Sequence, residues 1–353
     1  MTKRKAAVNR LKPLRTHRGW TQAELAERAG ISRTAVTAIE SSRLVPSVAA
    51  ALALAEALDS TVEALFGRDA GSDEPVVWGD RPDRPNAPYW HAEVAGRSVL
   101  YPADVTPMTA VMPDGAAGSD GALPELSTLA RETLVIACCD PAAGVLASLY
   151  ARSTGLRLLV LNRSSQQALD LLRQGLVHIA GLHFSTKEEP ERNADIVRDK
   201  LGSGYQLLRM ARWQEGITAN RALKLRSIRA ALRSKLTWVG REPGSGARQC
   251  LDRLFENRRS PTRVARHHRG VVEAVQSGWA DAGVCLRLVS EEAGLDFFSV
   301  QEEAYDVCFP TAIARDRRVQ AFLGVVRSAA YKRAFGGLPG YDTSETGNLE
   351  AVG

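Results

Sequence analysis

The chain has 353 residues, 44% of them hydrophobic and 24% charged, so it can bury more than one core and we expect two or three domains. This composition excludes a disordered or fibrous protein. No apolar run approaches the roughly 18 residues of a membrane helix, and the N-terminus lacks the apolar stretch of a secretory signal. Five cysteines, of which only Cys138 and Cys139 are close together, form neither a disulfide framework nor a zinc motif. We therefore predict a soluble, cytoplasmic protein.

The positive charge is concentrated at the N-terminus. Of the formal net charge of +6, residues 1–66 carry +4, and the first 18 residues contain no acidic residue. Such a cluster is typical of a segment that approaches phosphates, although a solvated basic tail would have the same composition. Its members are Lys3, Arg4, Lys5, Arg10, Lys12, Arg15 and Arg18.

Between Val8 and Phe66 the apolar residues recur at helical spacing and predict five short helices. Thr21 and Glu24 form a capping-box pattern at the start of one helix. Gly30 ends that helix, and Ser32 precedes the next as an N-cap. Two short helices therefore meet at a tight turn.

This segment resembles the XRE-type, lambda-repressor-like helix-turn-helix family. The resemblance is carried by Thr21-Gln22, Glu24-Leu25-Ala26, Gly30-Ile31-Ser32-Arg33, Val36, Ile39-Glu40 and Pro46-Ser47. It implies that the helix from about Arg33 to Ser41 lies in the major groove of DNA. A helical bundle that serves only for dimerisation is the alternative.

The resemblance also implies roles for single residues at a DNA interface. Arg33, Thr34 and Thr37 would read base edges, and Gln22, Ser42 and Arg43 would contact phosphates. Ser32 completes the predicted DNA-binding set at the start of the recognition helix. We expect Glu40 to be a structural cap or the partner of a nearby arginine, and not a base reader.

Between 68 and 130 the sequence predicts a small β-rich connector. Asp, Gly and Pro dominate at 67–75, 81–88 and 113–124, as in turns and linkers. Short strand-like runs at 76–78, 89–94 and 98–101 lie between them, with Gly96 in a hairpin turn. A merely partly ordered linker is the alternative.

From 131 to 341 strands and helices alternate, which predicts an α/β domain with a parallel sheet. Strands are expected at 133–137, 156–161 and 177–181, and a second set at 236–240, 262–266, 280–286 and 297–300. Helices are expected at 142–153, 166–174, 248–255 and 270–278. Two similar sets indicate two lobes with a cleft between them, and residues 342–353 are predicted to be a flexible tail.

This half resembles the type II periplasmic-binding-protein superfamily, in particular the cytoplasmic PBP-like domain related to molybdate-binding proteins. The motifs are Cys139-Asp140-Pro141, Asn162-Arg163-Ser164-Ser165, residues 175–183, residues 241–248, Ala280-Asp281-Ala282-Gly283 and Glu303-Ala304-Tyr305-Asp306. The predicted fold class is thus multidomain: an all-α helix-turn-helix bundle (1–67), the β-rich connector (68–130) and a two-lobed α/β domain (131–341).

Loops at the carboxyl ends of parallel strands lead into helix N-termini, where free N–H groups favour anions. The ligand-binding residues predicted in the cleft are Cys138, Cys139, Ser164, Ser165, His183, Ser245, Gly246, Arg248 and Tyr305. Local helix capping is the alternative role for the serines. The two cysteines could supply a low-pKa thiolate, but two small buried residues are the simpler interpretation.

Two histidines lie in or just after the predicted strand 177–181. His178 lies in an apolar strand and is expected to be a hydrogen-bonded core residue, whereas His183 at the strand end is the better cleft candidate. No recognisable spacing of ligands predicts a metal site, and we expect no cofactor and no catalytic residue.

Together these features predict a one-component transcriptional regulator that binds operator DNA as a homodimer. Closure of the cleft on a small solute would alter DNA affinity. The resemblance points to an oxyanion such as molybdate or tungstate, and an organic anion fits equally well. The alternatives are a cysteine enzyme using Cys138 or Cys139 with His183, and a DNA-binding scaffold without a ligand.

Overall fold

A computed structural model of the chain describes residues 9, 11–58, 60–66, 76–84, 86–103, 111–116, 128–256 and 261–353. The predicted turns at 67–75, much of the predicted turn segment 113–124 and the cations Lys3, Arg4, Lys5 and Arg10 lie outside these residues. The chain divides into two compact units, residues 1–75 and 76–353. Within the described ranges, no helix is long and apolar enough to cross a membrane.

The first unit is the predicted bundle of five short helices. They are α1 (Leu11–His17), α2 (Gln22–Arg28), α3 (Arg33–Glu40), α4 (Val48–Ala57) and α5 (Val62–Phe66). Their apolar faces form one small core that contains Leu11, Leu25, Val36, Ile39, Leu54, Leu58 and Leu65. The Thr21 and Glu24 capping box is present, and Ser32 caps α3. The five predicted helices are confirmed.

The second unit begins with a small sheet. Its strands are β1 (Val77–Trp78), β2 (Pro88–Val94), β3 (Arg97–Pro102) and β4 (Gly115–Ala116), in the order β1-β3-β2-β4. Ala95 and Gly96, both with positive φ, make the hairpin turn between β2 and β3. Trp90 and Val99 pack in one cluster with Leu159 of the α/β domain. This sheet is therefore part of the second compact unit, whereas the sequence predicts a separate connector at 68–130.

The main sheet has the order β10-β9-β11-β8-β12-β7-β5-β6, with two further strands on β8. The strands are β5 (Thr133–Cys138), β6 (Arg157–Asn162), β7 (Ile179–Thr186), β8 (Tyr205–Ala219), β9 (Trp238–Arg241), β10 (Arg263–Ala265), β11 (Ala282–Leu286), β12 (Asp296–Pro310), β13 (Tyr341–Asp342) and β14 (Leu349–Val352). Strands β5 to β7 form a parallel set in the first lobe, and β9 to β11 form a parallel set in the second. The predicted two-lobed α/β fold is confirmed.

Two long antiparallel strands, β8 and β12, run through both lobes. The apolar pattern gives no signal for β8 and predicts only 297–300 of β12, because charged residues interrupt it. Some of these charges are paired in the fold: Arg209 on β8 donates to Asp306 on β12 at 2.5 Å. The lobes are therefore joined by continuous strands.

Helices cover the faces of this sheet. They are α6 (Thr128–Arg131), α7 (Ala143–Thr154), α8 (Ser165–Arg173), α9 (Arg192–Leu201), α10 (Ile228–Arg233), α11 (Gly246–Leu254), α12 (His268–Gln276), α13 (Arg287–Glu292), α14 (Arg317–Arg327) and α15 (Ala329–Gly336). The four helices predicted from periodicity correspond to α7, α8, α11 and α12. Helices α8 and α11 begin where strands β6 and β9 lead into loops, so their N-termini face the region between the lobes.

The C-terminal segment differs from the predicted flexible tail at 342–353. Strand β11 covers only residues 215–219 on its side of β8. The rest of that edge pairs with β13 at Arg212 and Trp213 and with β14 at residues 205–208. The free backbone groups of β8 thus explain why the chain end forms strands.

Candidate functional site

The predicted base-reading residues share one surface of the helix-turn-helix unit. Arg33 and Thr34 are exposed on α3. Together with Thr37, Ala38 and Arg43 they line one surface depression. Ser42 is exposed and has a φ of 57°, so the chain turns sharply after α3. The arrangement is compatible with groove binding, and the DNA contacts themselves stay a prediction.

A partly buried network of hydrogen bonds lies behind this surface. Arg15 donates to Glu40 at 2.6 and 3.1 Å, which confirms the expected arginine partner. Gln22 donates to Glu40 at 2.8 Å and accepts a hydrogen bond from Thr37 at 3.0 Å. Burial acts to raise the pKa of Glu40, but the hydrogen bonds from Arg15 and Gln22 outweigh it and lower the pKa. Gln22 and Thr37 are therefore held in place by the network.

Three side chains form a buried hydrogen-bonded line between the lobes. His183 on β7 has its Nε2 atom 3.1 Å from the Sγ atom of Cys139, which follows β5 directly. Its Nδ1 atom lies 2.7 Å from Oε2 of Glu303 on β12. All three side chains are buried. A thiol, an imidazole and a carboxylate are thus aligned in that order.

The carboxylate of Glu303 is fixed by further donors. Trp213 donates its indole N–H to Oε2 at 3.0 Å, and Gln301 donates to Oε1 at 2.6 Å. The same Gln301 amide also donates to Glu215 at 3.1 Å. Two buried carboxylates therefore lie close together at the centre of the domain, on the strands that join the lobes.

Burial and neighbouring charges shift the pKa values of these groups in opposite directions. For His183, burial acts to lower the pKa, but Cys139 and Glu303 outweigh it and raise the pKa well above its ordinary value. For Glu215, burial and then the charge of Glu303 raise the pKa. For Glu303, burial opposes ionisation, but His183 overcomes it and keeps the pKa low. The site therefore favours an imidazolium beside an ionised Glu303.

The second lobe contributes His268 and Arg241 to the same place. His268 is the first residue of α12, and the centroid of its ring lies 6.2 Å from that of His183. Among the described residues, neither ring nitrogen of His268 has a hydrogen-bond partner. The Nη1 atom of Arg241 also lacks one within the described part of the chain. Burial and the charge of Arg241 lower the pKa of His268 well below its ordinary value, so the ring is neutral.

One donor atom from each of Cys139, His183 and His268 lies within 4.8 Å of the other two. The sequence predicts no metal site, because these residues are far apart along the chain. The fold alone brings the three donors together.

The glycine-rich loop before α11 brings the lobes into contact. A Cβ atom on Gly246 would lie 2.5 Å from Cε1 of His183, so only glycine permits this approach. A Cβ atom on Gly244 would likewise lie 2.5 Å from the Gln166 side chain in the first lobe. Gly246 is therefore at the predicted site, and the lobes are closed here.

The other predicted ligand contacts differ in their surroundings. Ser164 caps α8 and Ser245 caps α11, so these two have the capping role that was their alternative. Ser165 is fully buried, and its hydroxyl finds no hydrogen-bond partner within the described part of the chain. Arg248 donates to Asp252 at 2.8 Å, which turns its guanidinium toward its own helix. Of these four, Ser165 remains the best ligand candidate.

Cys138 and Tyr305 are buried in the first-lobe core. Burial raises the pKa of Cys138 to about 12, so its thiol stays protonated. Tyr305 stacks on Trp213 with ring centroids 4.4 Å apart. Cys138 thus packs in the first-lobe core beside Tyr305, whereas Cys139 lies within hydrogen-bond distance of His183.

His178 is the hydrogen-bonded core residue that was expected. Its Nδ1 atom accepts from the Val135 N–H at 3.0 Å, and Nε2 lies 3.0 Å from the Glu93 carbonyl. Burial, followed by the charge of Arg318, lowers its pKa to about 3.

Sequence reasoning misses several residues of the site: Trp213, Glu215, Arg241, His268 and Gln301. Glu215 and Trp213 lie on the unpredicted strand β8, and His268 is far along the chain from Cys139 and His183. The charged residues within the strands are a signal of the site. Charged residues inside apolar strands are rarely buried without a partner or a function.

Comparison with known proteins covers both units. A family model described as the PBP superfamily domain matches residues 146–327, and a helix-turn-helix model matches residues 11–65. The uncharacterized protein YvgK of Bacillus subtilis (strain 168) is 26% identical over 197 residues, which are 53% of this chain and 63% of that protein. The chain thus spans 63% of the length of this curated relative.

Solved structures align with the α/β domain at low identity. An ABC-type phosphate transport receptor from Vibrio cholerae has a TM-score of 0.42 at 14% identity, over 59% of this chain and 99% of that one. PhnD1 from Prochlorococcus marinus (MIT 9301), in complex with methylphosphonate, has a TM-score of 0.42 at 11% identity, over 61% and 93%. With the family models and the two-lobed fold, the assignment is clear: the chain belongs to the PBP superfamily and carries an XRE-type helix-turn-helix domain at its N-terminus.

Proposed function

We propose that this chain is a ligand-responsive transcriptional regulator. The helix-turn-helix unit would bind operator DNA, and the two-lobed domain would bind a small solute. The observation that carries the proposal is the buried polar cluster between the lobes, which lies in the same chain as an exposed recognition helix. Binding of DNA implies action in the cytoplasm, and a single helix-turn-helix reads few base pairs, so a homodimer on a pseudo-palindromic site is proposed.

Closure of the lobes is the proposed link between ligand and DNA. The space beside Gly246 leaves no room for a Cβ atom next to His183, which supports a closed arrangement of the lobes. A ligand that contacts both lobes binds the closed form better than the open form and shifts the population toward it. Typical couplings of this kind change the affinity of a second site by about 5-fold to 150-fold.

The proposed oxyanion, molybdate or tungstate, would lie at the N-termini of α8 and α11. Free backbone N–H groups and the buried Ser165 hydroxyl favour an anion there. The ionised carboxylate of Glu303 disfavours an anion close to His183. A small organic anion with a separate polar group would satisfy both conditions and is the alternative ligand class.

A cysteine-dependent enzyme is a second candidate, favoured by the aligned Cys139, His183 and Glu303. This order matches a nucleophile, a general base and the carboxylate that orients it. Such an enzyme would lose turnover in Cys139→Ala. A regulator of the kind proposed would show no turnover to lose.

Selection from a random duplex library with the full chain tests the main proposal. We expect enrichment of a pseudo-palindromic sequence, followed by a ligand-dependent change in its dissociation constant. Fluorescence anisotropy would measure this constant with molybdate, tungstate, sulfate, phosphate and a panel of organic acids. No enriched sequence would contradict DNA recognition, and enrichment without any ligand response would favour a scaffold.

A further inference from the structure

Cys139, His183 and His268 supply the donor set of a metal site at the junction of the lobes. The first two belong to the first lobe and the third to the second lobe. Their donor atoms lie within 4.8 Å of one another. In a tetrahedral zinc site, bonds of about 2.0–2.3 Å place neighbouring donor atoms about 3.3–3.6 Å apart. Small side-chain movements would bring the three donors onto one ion.

The surroundings of His183 match those of a metal-bound histidine. A carboxylate only accepts hydrogen bonds, so the Nδ1 atom facing Glu303 carries a proton. When His183 gives up its Nε2 proton to bind a metal ion, the lone pair of Nε2 faces Cys139. Carboxylates commonly hold metal-binding histidines in this manner, and here Trp213 and Gln301 hold the carboxylate in turn.

His268 supplies an independent observation that points to a ligand. His268 is only 1% exposed, yet neither of its ring nitrogens has a hydrogen-bond partner in the described ranges. A buried polar group without a partner is costly to the folded state. The ring lies beside His183, so a cation held by both imidazoles would satisfy one of these nitrogens.

The charge of the cluster also favours a cation. The buried Glu303 carboxylate lies 2.7 Å from His183, and Cys139 becomes a thiolate when it binds a metal ion. The buried Arg241 guanidinium is paired with Glu242 at 2.8 Å. A divalent ion would therefore offset the remaining negative charge.

We propose that Cys139, His183 and His268 bind a divalent transition-metal ion of the zinc type and that this ion joins the two lobes. Thiolate and imidazole donors suit such ions, and three protein ligands leave a fourth position open. The inference names a ligand for the regulator, so its regulatory consequence rests on the proposed function. Metal binding itself is measured without DNA, and the two proposals can therefore fail separately.

The test measures binding of Zn²⁺ and Co²⁺ to the full chain freed of metal with a chelator. We expect one equivalent per chain by equilibrium dialysis and elemental analysis, with a dissociation constant below about 1 µM. Bound Co²⁺ should show an intense thiolate charge-transfer band and the visible bands of a tetrahedral ion. These spectra come from the wild-type chain and need no variant.

Variants then assign the ligands. Cys139→Ala and His268→Ala should each weaken Zn²⁺ binding by at least about 100-fold, and Glu303→Gln by about 10-fold to 100-fold. Cys138→Ala, which removes the adjacent thiol, is the matched control and should stay within about threefold. Circular dichroism would verify that each variant is folded.

Several results would overturn the proposal. One is a wild-type chain that binds less than half an equivalent, and another is a Co²⁺ spectrum without the thiolate band. Full Zn²⁺ binding by folded His268→Ala would also contradict the metal-site proposal. That result would favour the catalytic alternative, since a triad of Cys139, His183 and Glu303 does not need His268.

Discussion

The polar network of the helix-turn-helix unit and the polar cluster between the lobes are built differently. In the first, Arg15, Glu40, Gln22 and Thr37 complete one another's hydrogen bonds. In the second, His268, Ser165 and one nitrogen of Arg241 are buried and lack partners among the described side chains. Unpaired buried polar groups cost stability, so they persist where a ligand completes them.

This difference separates two tasks. The paired network supports a surface whose interacting residues, Arg33 and Thr34, remain exposed to solvent. The unpaired cluster is itself the candidate binding site, enclosed by both lobes. We therefore expect substitutions in the first network to act mainly on stability, and substitutions in the second to act mainly on ligand binding.

The largest expected effect on stability comes from Arg15→Leu. The side chains of Arg15 and Glu40 are only 10% and 4% exposed, so the substitution leaves a buried carboxylate without its partner. The loss should be about 3 kcal/mol in the free energy of unfolding, measured by chemical denaturation of the full chain. The double variant Arg15→Leu, Glu40→Leu should recover at least half of it, and no recovery would contradict a pair-based explanation.

Gly246→Ala should interfere with closure while keeping the fold. The added Cβ atom would collide with His183, although alanine is favourable in the first turn of α11. We expect ligand or metal affinity to fall by about 100-fold, or about 2.7 kcal/mol by isothermal titration calorimetry. Gly144→Ala at the start of α7 meets nothing within 4 Å and is the control. Equal affinities for both variants would argue against the closed site.

Arg33→Ala should weaken binding to the selected DNA duplex by about tenfold or more, because a guanidinium that reads a base contributes about 1–3 kcal/mol. Electrophoretic mobility shift at fixed salt would measure the effect. Arg28→Ala, on the preceding helix, removes the same charge and should change the affinity far less. If both variants weaken binding equally, Arg33 acts through charge alone.

The last prediction concerns the pH dependence of stability at His178, whose pKa is lowered to about 3 by burial. The unfolded chain binds a proton near pH 6.5 and the folded chain does not, so this residue makes stability fall as the pH drops from about 6.5 toward 3. The expected slope is about 1.4 kcal/mol per pH unit. His178→Gln keeps a donor and an acceptor without titrating and should flatten the slope in urea denaturation. An unchanged slope would assign it to other groups.

The sequence predicts the helix-turn-helix unit well because its signals are local. Thr21, Glu24, Gly30 and Ser32 determine helix ends within a few residues of themselves. The fold class of the second unit is also predictable, since short parallel strands have continuous apolar runs. Of the predicted site residues, Cys139, His183 and Gly246 are brought together by the fold.

The centre of the site is harder to predict, for a physical reason. Glu215 and Trp213 lie on β8, where alternating charges hide the strand, and His268 reaches the site only because the lobes meet. Ser164, Ser245 and Arg248 have side chains suited to an anionic ligand. In the structure the two serines cap helices, and Arg248 donates to Asp252. Local alternatives of this kind cannot be separated from ligand contacts without tertiary structure.

The most direct test of the account measures the dissociation constant of the full chain for its selected duplex, with and without each ligand. The ligands are Zn²⁺, molybdate, tungstate and a panel of organic acids, and fluorescence anisotropy is the readout. We expect at least one to change the constant by about tenfold or more in the wild type and by much less in Gly246→Ala. A constant that stays within about twofold under every condition would contradict coupling between the lobes and DNA.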